Sequence, residues 1–535
     1  MKSQRAQLWF SAALVAALAM LCGCQLLLDV DQCETHDDCA EFGEQWQCSV
    51  RGLCVDPHSF EINAQAGPGD CDIDAAPFGG GDGSVDAPYL ICSPQHLINW
   101  SEDPYAFRTH SLALVADIDM AGSHFETIEV FQGNLRGNQH RIENLVIRPC
   151  WGINCDVVAF IGYASGASIV DVNLSQISVQ EGERAGGLVG ELTGGLIENC
   201  TVSGDLSTSG EILGGVVGET KAGRVVNSHF NGSLSSTGGF TQIGGLVGYH
   251  SSNARIENSS AAGLITDGDY RIGGLVGQNN GVIQDSYSTV NIAVSFPDVS
   301  AGGLVGGHNS AQGARITRSW AGGNVDTPGA FDAGGLVGFQ TGAENGECGI
   351  VESFATGEVF GDFATGGLIG ANENGCIRDS YATGNVVGNV RAGGFAGANS
   401  ACFAVEPEPN SNPDPNGNGT GDENGDDGEN PPDENGDEPT PEEIDYDCTQ
   451  AGVIINAYTT GTVTGEDFVG SFVGKNGIGQ VEQSYWFIHS DELTDEVAAG
   501  LTFEEFGDPS AFEGWDFQVI WDLNESTAPR LKWQL

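Results

Sequence analysis

Basic residues are scarce in this chain of 535 residues, which carries 19 lysines and arginines against 74 aspartates and glutamates. The formal net charge of -55 repels phosphate groups, so we expect neither nucleic acid nor an anionic lipid surface as a direct partner. Charged residues make up only 17% of the sequence, which is low for an ordinary helical protein. The acidic excess instead indicates a heavily solvated surface.

Recognisable catalytic motifs are absent as well. The sequence contains neither an HExxH motif nor a serine-centred triad motif. We therefore predict no catalytic residue, no metal site and no cofactor. The histidines stand alone and are interpreted as surface or packing residues: His36, His58, His96, His110, His124, His140, His229, His250, His308 and His489.

Glycine is abundant, and much of it lies in one recurring hexamer. Variants of AGGLVG begin at residues 157, 185, 213, 243, 272, 301, 333, 365, 392 and 469. Their fourth position is always large and apolar, and their sixth is always glycine. A phosphate-binding loop would need a helix after the glycines, and no helical period follows any copy. The period of about 29 residues predicts a solenoid in which the hexamers form one wall.

Two further short strands are predicted in each repeat. The first follows the apolar fourth position of the hexamer and ends on a small residue, and Gly, Asn and Asp separate it from the next. Because a single coil leaves its apolar side chains and backbone edges uncovered, successive coils must stack in parallel. This predicts an all-β fold, a right-handed parallel β-helix. The small residues should point inward: Cys200, Ser228, Ser259, Ser286, Ser319, Ser353, Ser380, Ala457 and Ser484.

GGLVG repeats at this spacing resemble the GLUG motif, a non-catalytic module of bacterial surface proteins. The resemblance covers about residues 157–486. The preceding stretch PYLICSPQHLINWSED and the closing stretch FEGWDFQVIWDLNESTAPRLKW resemble the usual flanks of such repeats. We expect both flanks to cap the solenoid, the first with a helix that begins at Ser93 and Pro94, because an open end invites edge-to-edge aggregation.

Parallel β-helices also include polysaccharide lyases and polygalacturonases. The lyases need a basic residue beside a carboxylate-bound calcium, and lysines are nearly absent from this chain. The polygalacturonases need clustered aspartates, for which Asp117 and Asp119 in ADIDM are the one candidate pair. That pair is more simply interpreted as a turn and cap element. We therefore expect a non-catalytic protein and keep a glycan-acting enzyme as an alternative.

The N-terminus has the order of an export signal: basic MKSQRAQ, apolar LWFSAALVAALAM, then LCGC. The last four residues closely resemble the bacterial lipobox. This resemblance implies that residues 1–23 are removed, that Cys24 carries lipid, and that Gln25 directs the protein to the periplasmic or cell-surface face of the outer membrane. The alternative is an uncleaved transmembrane anchor, because leucines continue the apolar run.

Exported chains usually pair their cysteines. Four cysteines in a C-x5-C-x8-C-x5-C cluster resemble small modules of bacterial lipoproteins, and zinc is the less favoured alternative at this spacing. Cys200 is left over and is expected as a buried free thiol. The disulfide candidates are Cys33, Cys39, Cys48, Cys54, Cys71 with Cys92, Cys150 with Cys155, Cys348 with Cys376, and Cys402 with Cys448.

One segment interrupts the period. Residues 405–447 are rich in Asp, Glu, Pro, Gly and Asn without any Lys or Arg, so we expect a disordered loop with weak, nonspecific attraction for calcium. The predicted division is a signal peptide (1–23), a lipid anchor and Cys-rich stalk (24–60), a first cap (61–156), coils (157–404), the insert (405–447), the last coils (448–490) and a C-terminal cap (491–535).

A column of aromatic residues follows the small inward position. Rings that point outward would form a glycan-binding stripe, whereas rings that point inward would stack in the core, which we favour. The residues are Tyr287, Trp320, Phe354, Tyr381, Tyr458 and Tyr485. The sequence thus predicts an outer-membrane lipoprotein for adhesion or for binding a cell-surface glycan or protein, with an inert spacer as the structural alternative.

Overall fold

The computed structural model describes residues 71–123, 125–148, 156–342, 347–404, 446–489, 495–523 and 528–534, together with the backbone of one short hairpin near the N-terminus. The chain forms two compact units, 1–65 and 66–535. In the first unit, strands Gln47–Cys48 and Cys54–Val55 pair antiparallel, which places the backbone of Cys48 opposite that of Cys54. The predicted lipid site Cys24 and the cysteines at 33, 39, 150 and 155 lie outside the described residues.

The second unit is a parallel β-solenoid, as the repeat period predicts. A sheet of ten strands contains one strand from each coil that has a hexamer, and all other strands of the coils join a second, larger sheet. Neighbouring coils pair in parallel register. The strands of the smaller sheet are Val157–Val158, Arg184–Gly186, Ile212–Gly214, Gln242–Gly244, Arg271–Gly273, Ser300–Gly302, Asp332–Gly334, Ala364–Gly366, Arg391–Gly393 and Phe468–Gly470.

The larger sheet supplies the remaining sides of each coil. Its strands after each hexamer are Ile161–Ser165, Ser168–Val170, Val189–Glu198, Val217–Val226, Val247–Glu257, Val276–Asn279, Val282–Gln284, Val305–Asn309, Arg315–Thr317, Val337–Thr341, Ile350–Val351, Ile369–Glu373, Ala396–Ala398, Val473–Lys475 and Gln480–Glu482. The strands beyond the next corner are Asn173–Val179, Thr201–Thr208, His229–Ser236, Ser260–Asp267, Tyr287–Ala293, Trp320–Ala321, Val325–Asp326, Phe354–Ala355, Val359–Phe360, Val386–Val387, Val463–Thr464, Tyr485–Phe487 and Ala499–Leu501. Cys376–Ala382 and Val453–Thr459 run through that corner.

The hexamer forms a corner and not a single wall. Its first residues end a strand of the smaller sheet, its third and fourth residues bend, and its fifth begins a strand of the larger sheet. A Cβ on Gly190 would overlap Val157 of the preceding coil, and one on Gly187 would overlap the Gly215 carbonyl of the next. Close approach of the two sheets and of successive coils therefore requires glycine here.

The apolar fourth position of the hexamer fills the interior. Every residue at this position is fully buried, from Phe160 in the first coil to Phe472 in the last. Phe395 and Phe472 stack there with ring centroids 4.9 Å apart. The interior is one continuous apolar cluster that runs through the coils, as the sequence pattern predicts.

The small inward residues form a hydrogen-bonded ladder. Ser286 Oγ accepts the backbone N–H of Ser259 in the preceding coil (3.1 Å) and donates to Gln284 O (2.8 Å). The same pattern recurs between coils from Cys200 to Ser353. The residue before each small position has a left-handed backbone that turns the chain: Asn199, Asn227, Asn258, Asp285, Arg318, Glu352, Asp379, Asn456 and Gln483.

The N-terminal flank adds coils as well as a cap. Strands Tyr89–Ile91, Ser111–Leu114 and Asn134–Arg136 pair in succession, and the last pairs with the first complete coil. Helix α1 (Pro94–Glu102), which begins after Ser93 as predicted, is followed by the short helix α2 (Pro104–Phe107). The remaining strands of this flank are Ile118–Asp119, Phe125–Glu126, Ile128–Phe131, Arg141–Glu143 and Val146–Arg148.

Helix α1 closes this end through an aromatic cluster. Its Trp100 is fully buried, with its ring centroid 5.2 Å from that of Phe131 and 6.0 Å from that of Phe160. Phe160 is the interior residue of the first hexamer. The helix therefore covers apolar side chains that no preceding coil could bury.

The period resumes directly after the acidic insert. Strand Val453–Thr459 pairs in parallel with Cys376–Ala382 of the preceding coil. At the base of the insert, strands Ser400–Ala404 and Tyr446–Ala451 pair antiparallel, which places the backbone of Cys402 opposite that of Cys448. The rest of the insert, 405–445, lies outside the described residues, and its disorder and the Cys402–Cys448 bridge stay predictions.

Asp495 ends the last coil. In earlier coils, one carbonyl of the next coil accepts two successive N–H groups at the hexamer, as Val216 O does from Leu188 and Val189. After the final hexamer, Asp495 Oδ2 takes this role, accepting from Phe472 N (2.8 Å) and Val473 N (2.9 Å). A side chain thus satisfies donors that a further coil would otherwise bind.

The C-terminal flank then folds back along the solenoid. It contains α3 (Phe503–Phe506), with a capping box between Thr502 and Glu505, and the antiparallel strands Trp521–Asp522 and Arg530–Leu531. Single 3-10 turns occur at Ser310–Gln312, Pro509–Ala511 and Lys532–Gln534. Among the described helices, none is both long and apolar enough to cross a bilayer.

Two disulfides join described cysteines. Cys71 bonds Cys92 beside α1, with the Cα atoms 6.5 Å apart. Cys348 bonds Cys376 across adjacent coils, with the Cα atoms 4.3 Å apart. Cys200 is a free thiol with no exposed surface, as its inward position predicts.

Candidate functional site

The aromatic column forms a continuous stack on the surface of the larger sheet. Ring centroids lie 4.8 Å apart for Tyr287 and Trp320, 5.7 Å for Trp320 and Phe354, 4.8 Å for Phe354 and Tyr381, and 4.9 Å for Tyr381 and Tyr458. The planes within each pair deviate by at most 7°. Tyr485 continues the column by its backbone register with Tyr458. Parallel coils thus place like rings on like rings.

These rings point outward, which corrects the favoured prediction that they lie in the interior. Ser286 and Ser288, on either side of Tyr287, are buried inside the solenoid, whereas Tyr287 is 38% exposed. Side chains alternate between the two faces of a strand, so a ring next to an inward serine must face outward. The stack is nevertheless largely buried further along the chain.

The C-terminal flank covers the outward stack. Phe354, Tyr381, Tyr458 and Tyr485 are each at most 8% exposed. They pack in a second apolar cluster with residues of the C-terminal flank: Leu501, Phe506, Phe512, Trp515, Trp521 and Leu531. The outward rings therefore form a second core, separate from the interior of the coils.

Polar contacts fix the C-terminal flank on the rings. Tyr458 Oη donates to Pro529 O (2.6 Å), and Gln534 Nε2 donates to Tyr381 Oη (2.8 Å). Burial raises the pKa of Tyr381 to about 12 and raises that of Tyr458 well above its usual range. Both phenols stay neutral at physiological pH and can act as hydrogen-bond donors.

A cleft of about 630 Å³ remains between the covered stack and the C-terminal flank, within the typical size range of ligand sites. The rings of Tyr381 and Tyr458 line its floor, and the cleft also contains Phe487, His489, Phe503, Phe506, Ala528, Arg530, Gln534 and three threonines. Phe503 is 62% exposed. The cleft thus combines apolar rings with a few hydrogen-bonding groups.

The threonines form a second outward column. Thr356, Thr383 and Thr460 occupy the same position in three successive coils, two residues after the ring of each coil. Their hydroxyls form no hydrogen bond with other described residues, whereas the Thr459 hydroxyl donates to Gly394 O (2.8 Å) and that of Thr462 donates to Asn385 Oδ1 (2.8 Å). The cleft threonines are therefore free to bind a ligand.

Two basic side chains also line the cleft. His489 contacts Thr460 O through Nε2 (2.7 Å), and its ring packs on that of Phe487 with centroids 4.8 Å apart. Arg530 is exposed and forms no ion pair with the described residues. In such an acidic chain, a guanidinium in a cleft is a distinctive donor of hydrogen bonds.

The candidate catalytic carboxylates have structural partners. Asp117 Oδ1 accepts from Arg141 N (3.0 Å) and contacts His140 Nδ1 (3.2 Å). Asp119 Oδ1 accepts from Ala121 N (2.9 Å) and from Asn144 Nδ2 (2.8 Å). These bonds lower the pKa of both carboxyl groups, which fits the interpretation as a turn element.

His96 lies near the disulfide between Cys71 and Cys92, and these are the one group of potential metal ligands among the described residues. The two sulfurs are bonded to each other and cannot act as thiolate ligands. His96 Nε2 contacts Ala75 O (3.1 Å), and burial lowers the pKa of its imidazole. This arrangement is structural.

The sequence predicts the aromatic column but not the cleft. The column follows from one position within a repeat, whereas the cleft depends on how a non-repetitive flank folds back. A signal was present, because aromatic residues are dense between residues 503 and 533, and such a flank can bury further aromatic residues. The many aromatic residues in this flank, together with an outward column of rings in the coils, could have indicated that the flank folds onto the column.

Four segments of the chain match the GLUG motif family: residues 181–207, 241–266, 268–293 and 361–387. Each matched segment contains one hexamer and its following corner. A protein from Evansella cellulosilytica named "Putative Gly-rich membrane protein" is 38% identical over 191 residues, which is 34% of this chain. The alignment spans 22% of the length of that relative.

Two solved structures share 16% identity with the chain. One is "a putative immunoglobulin A1 protease from Bacteroides ovatus", with a TM-score of 0.35 over 85% of this chain and 96% of that one. The other is "IgA1 Protease", with a TM-score of 0.33 over 59% of this chain and 22% of that one. The sheet topology and the four matched segments together identify the protein as a parallel β-solenoid with GLUG-motif repeats.

Proposed function

We propose that this protein is an exported, non-catalytic binding protein that holds a glycan in the cleft beside the covered aromatic stack. The observation that carries the proposal is the cleft itself, in which exposed Phe503 lies with the guanidinium of Arg530 and with three threonine hydroxyls that have no hydrogen-bond partner among the described residues. Sugar rings have apolar faces and polar edges, so they match aromatic rings interspersed with hydrogen-bonding groups.

A panel of glycans, titrated calorimetrically against the purified solenoid, tests the proposal. Phe503→Ala and Arg530→Gln should each weaken binding by about tenfold, since charged and aromatic contacts each contribute on the order of 1 kcal/mol or more. Phe296→Ala is the matched control, because Phe296 is 45% exposed outside the cleft. Sugar release from the panel, or equal weakening by the control, would contradict the proposal.

Export and membrane attachment are part of the proposal. Their support is the lipobox-like LCGC at the N-terminus, the two disulfides, and the name of the Gly-rich membrane relative. We propose that lipid on Cys24 attaches the chain to the outer membrane and that its partner is a cell-surface glycan. Cys24→Ala should move the protein from the membrane fraction to the soluble fraction, and unchanged fractionation would favour a transmembrane anchor.

A further inference from the structure

The three threonines on the floor of the cleft repeat once per coil of the solenoid. Thr383 N donates to Ala355 O (3.0 Å), and Thr460 N donates to Ala382 O (3.0 Å). Thr356 N makes the equivalent bond to Ala321 O (2.9 Å). These backbone bonds hold the three threonines in register. Because parallel strands lie about 4.8 Å apart, the cleft floor presents one hydroxyl at about that spacing along the coil axis.

At both ends of the cleft, the threonine column continues with a different type of residue. One coil beyond Thr460, the same position holds Phe487, against which the His489 ring packs. In the other direction, the position preceding Thr356 is Gly322, which has no side chain. The unbroken run of hydroxyls therefore covers the three coils beneath the cleft, and with Phe487 the cleft floor spans four coils.

The spacing of the hydroxyls matches a linear ligand whose repeating units have a similar length along the chain. An extended pyranose chain advances by a length close to the spacing of strands in a sheet, and each unit presents hydroxyls at its edge. A single sugar would contact one threonine only. A chain that lies across the coils, parallel to the strands, would also meet only one.

We infer that the cleft binds a linear, extended glycan that runs along the coil axis with one sugar per coil. The inference rests on the proposed function and deepens it by defining the ligand class, its direction and its length. Thr356, Thr383 and Thr460 each hydrogen-bond one successive sugar, and Phe487 and Phe503 pack against apolar sugar faces. Arg530 binds hydroxyl or carboxylate oxygens at the edge of the chain.

A length series tests the inference. Size-fractionated cello- and chito-oligosaccharides, from the single sugar to the hexasaccharide, are titrated against the full chain. We expect the affinity to rise by roughly two- to tenfold with each added sugar, because each adds about one hydrogen bond or one ring contact, and to level off at about four sugars. Binding that does not depend on length overturns the inference but leaves the proposed function intact. No binding by these or any other glycan overturns both.

A variant series separates axial binding from other modes. Thr383→Val removes the central hydroxyl and keeps the side-chain shape, so it should weaken binding of the tetrasaccharide by about two- to tenfold and of the disaccharide less. Thr289→Val is the matched control, because Thr289 is exposed in the same column outside the cleft. Thermal midpoints of both variants should equal that of the parent. An equal effect of the two substitutions, or none from Thr383→Val, overturns the inference.

Discussion

His250 and His308 lie inside the solenoid in a column of polar residues. Thr220 Oγ1 lies 2.7 Å from His250 Nδ1, and Asn279 Nδ2 lies 3.0 Å from His308 Nδ1. Burial lowers the pKa of each imidazole from 6.5 to about 4. Both histidines are therefore neutral in the folded protein, in agreement with their interpretation as packing residues.

These histidines make the fold sensitive to acid. Between pH 6.5 and about 4, the unfolded imidazoles bind protons that the folded ones do not, so the free energy of unfolding falls as the pH drops. His250→Asn with His308→Asn should flatten this decline, measured by denaturant titration across that range. An unchanged slope would show that the histidines are accessible to water.

Asp332 affects the pH dependence of the free energy of unfolding in the opposite direction and serves as a control. Burial raises the pKa of its carboxyl group from 3.8 to about 7. The folded state then holds a proton that the unfolded state releases, so the free energy of unfolding falls as the pH rises from 3.8 towards 7. Asp332→Asn should therefore steepen the net decline on acidification.

Cys200 occupies a rung of the serine ladder. Its Sγ lies 3.3 Å from Glu198 O, where the equivalent Ser228 Oγ donates to Val226 O at 2.8 Å. Burial raises the pKa of the thiol to about 12, so it should resist labelling in the folded, non-reduced protein. Cys200→Ser should change the thermal midpoint little, because a serine hydroxyl makes the same bond in other coils. Rapid labelling would contradict the burial.

At the scale of elements, the glycines of the hexamer are steric requirements. A Cβ on Gly277 would lie 2.6 Å from Gly248 O and 2.7 Å from Ile243 N, both backbone atoms of the preceding coil. Gly277→Ala should cost about 1–3 kcal/mol of unfolding free energy. The matched control is Gly239→Ala, because the nearest atom to a Cβ there is Asp269 Oδ2 at 3.9 Å. Equal stability of the two variants would show that the coils can separate freely.

The repeat period and the burial of the fourth hexamer position could be predicted from sequence, because each coil imposes the same packing on the same position. The corner within the hexamer could not, since glycine pairs are compatible with both a strand and a bend. The left-handed turn before each small residue was also not predicted from the sequence. Its Asn and Asp residues were a usable signal, but Arg318 and Glu352 occupy the same turn against their usual preference.

At the scale of the whole chain, the coils on the two sides of the acidic insert pair in continuous register. Tyr381 and Tyr458, on opposite sides of the insert, are Cα partners in adjacent coils. Replacing residues 405–447 by a short Gly-Ser linker should therefore leave the far-ultraviolet spectrum and the thermal midpoint almost unchanged. Loss of the β signal would show that the insert forms part of a coil.

The cleft also belongs to this scale, because its walls come from residues more than one hundred positions apart. Gln534 and Tyr381, which are hydrogen-bonded, are 153 residues apart in sequence. A repeat pattern contains no information about such a contact, so the cover over the rings could not be predicted from sequence. The outward direction of the rings could have been, because each ring directly follows a residue that is predicted to point inward.

Hydroxyl-radical footprinting with a bound glycan tests the central claim most directly, since it reports the exposure of individual aromatic side chains. At saturating glycan, oxidation of Phe503 and Phe487 should fall, while oxidation of Phe296 outside the cleft should not change. Saturated binding with full oxidation of Phe503, or with protection confined to residues outside the cleft, would contradict the assignment of the cleft as the glycan site.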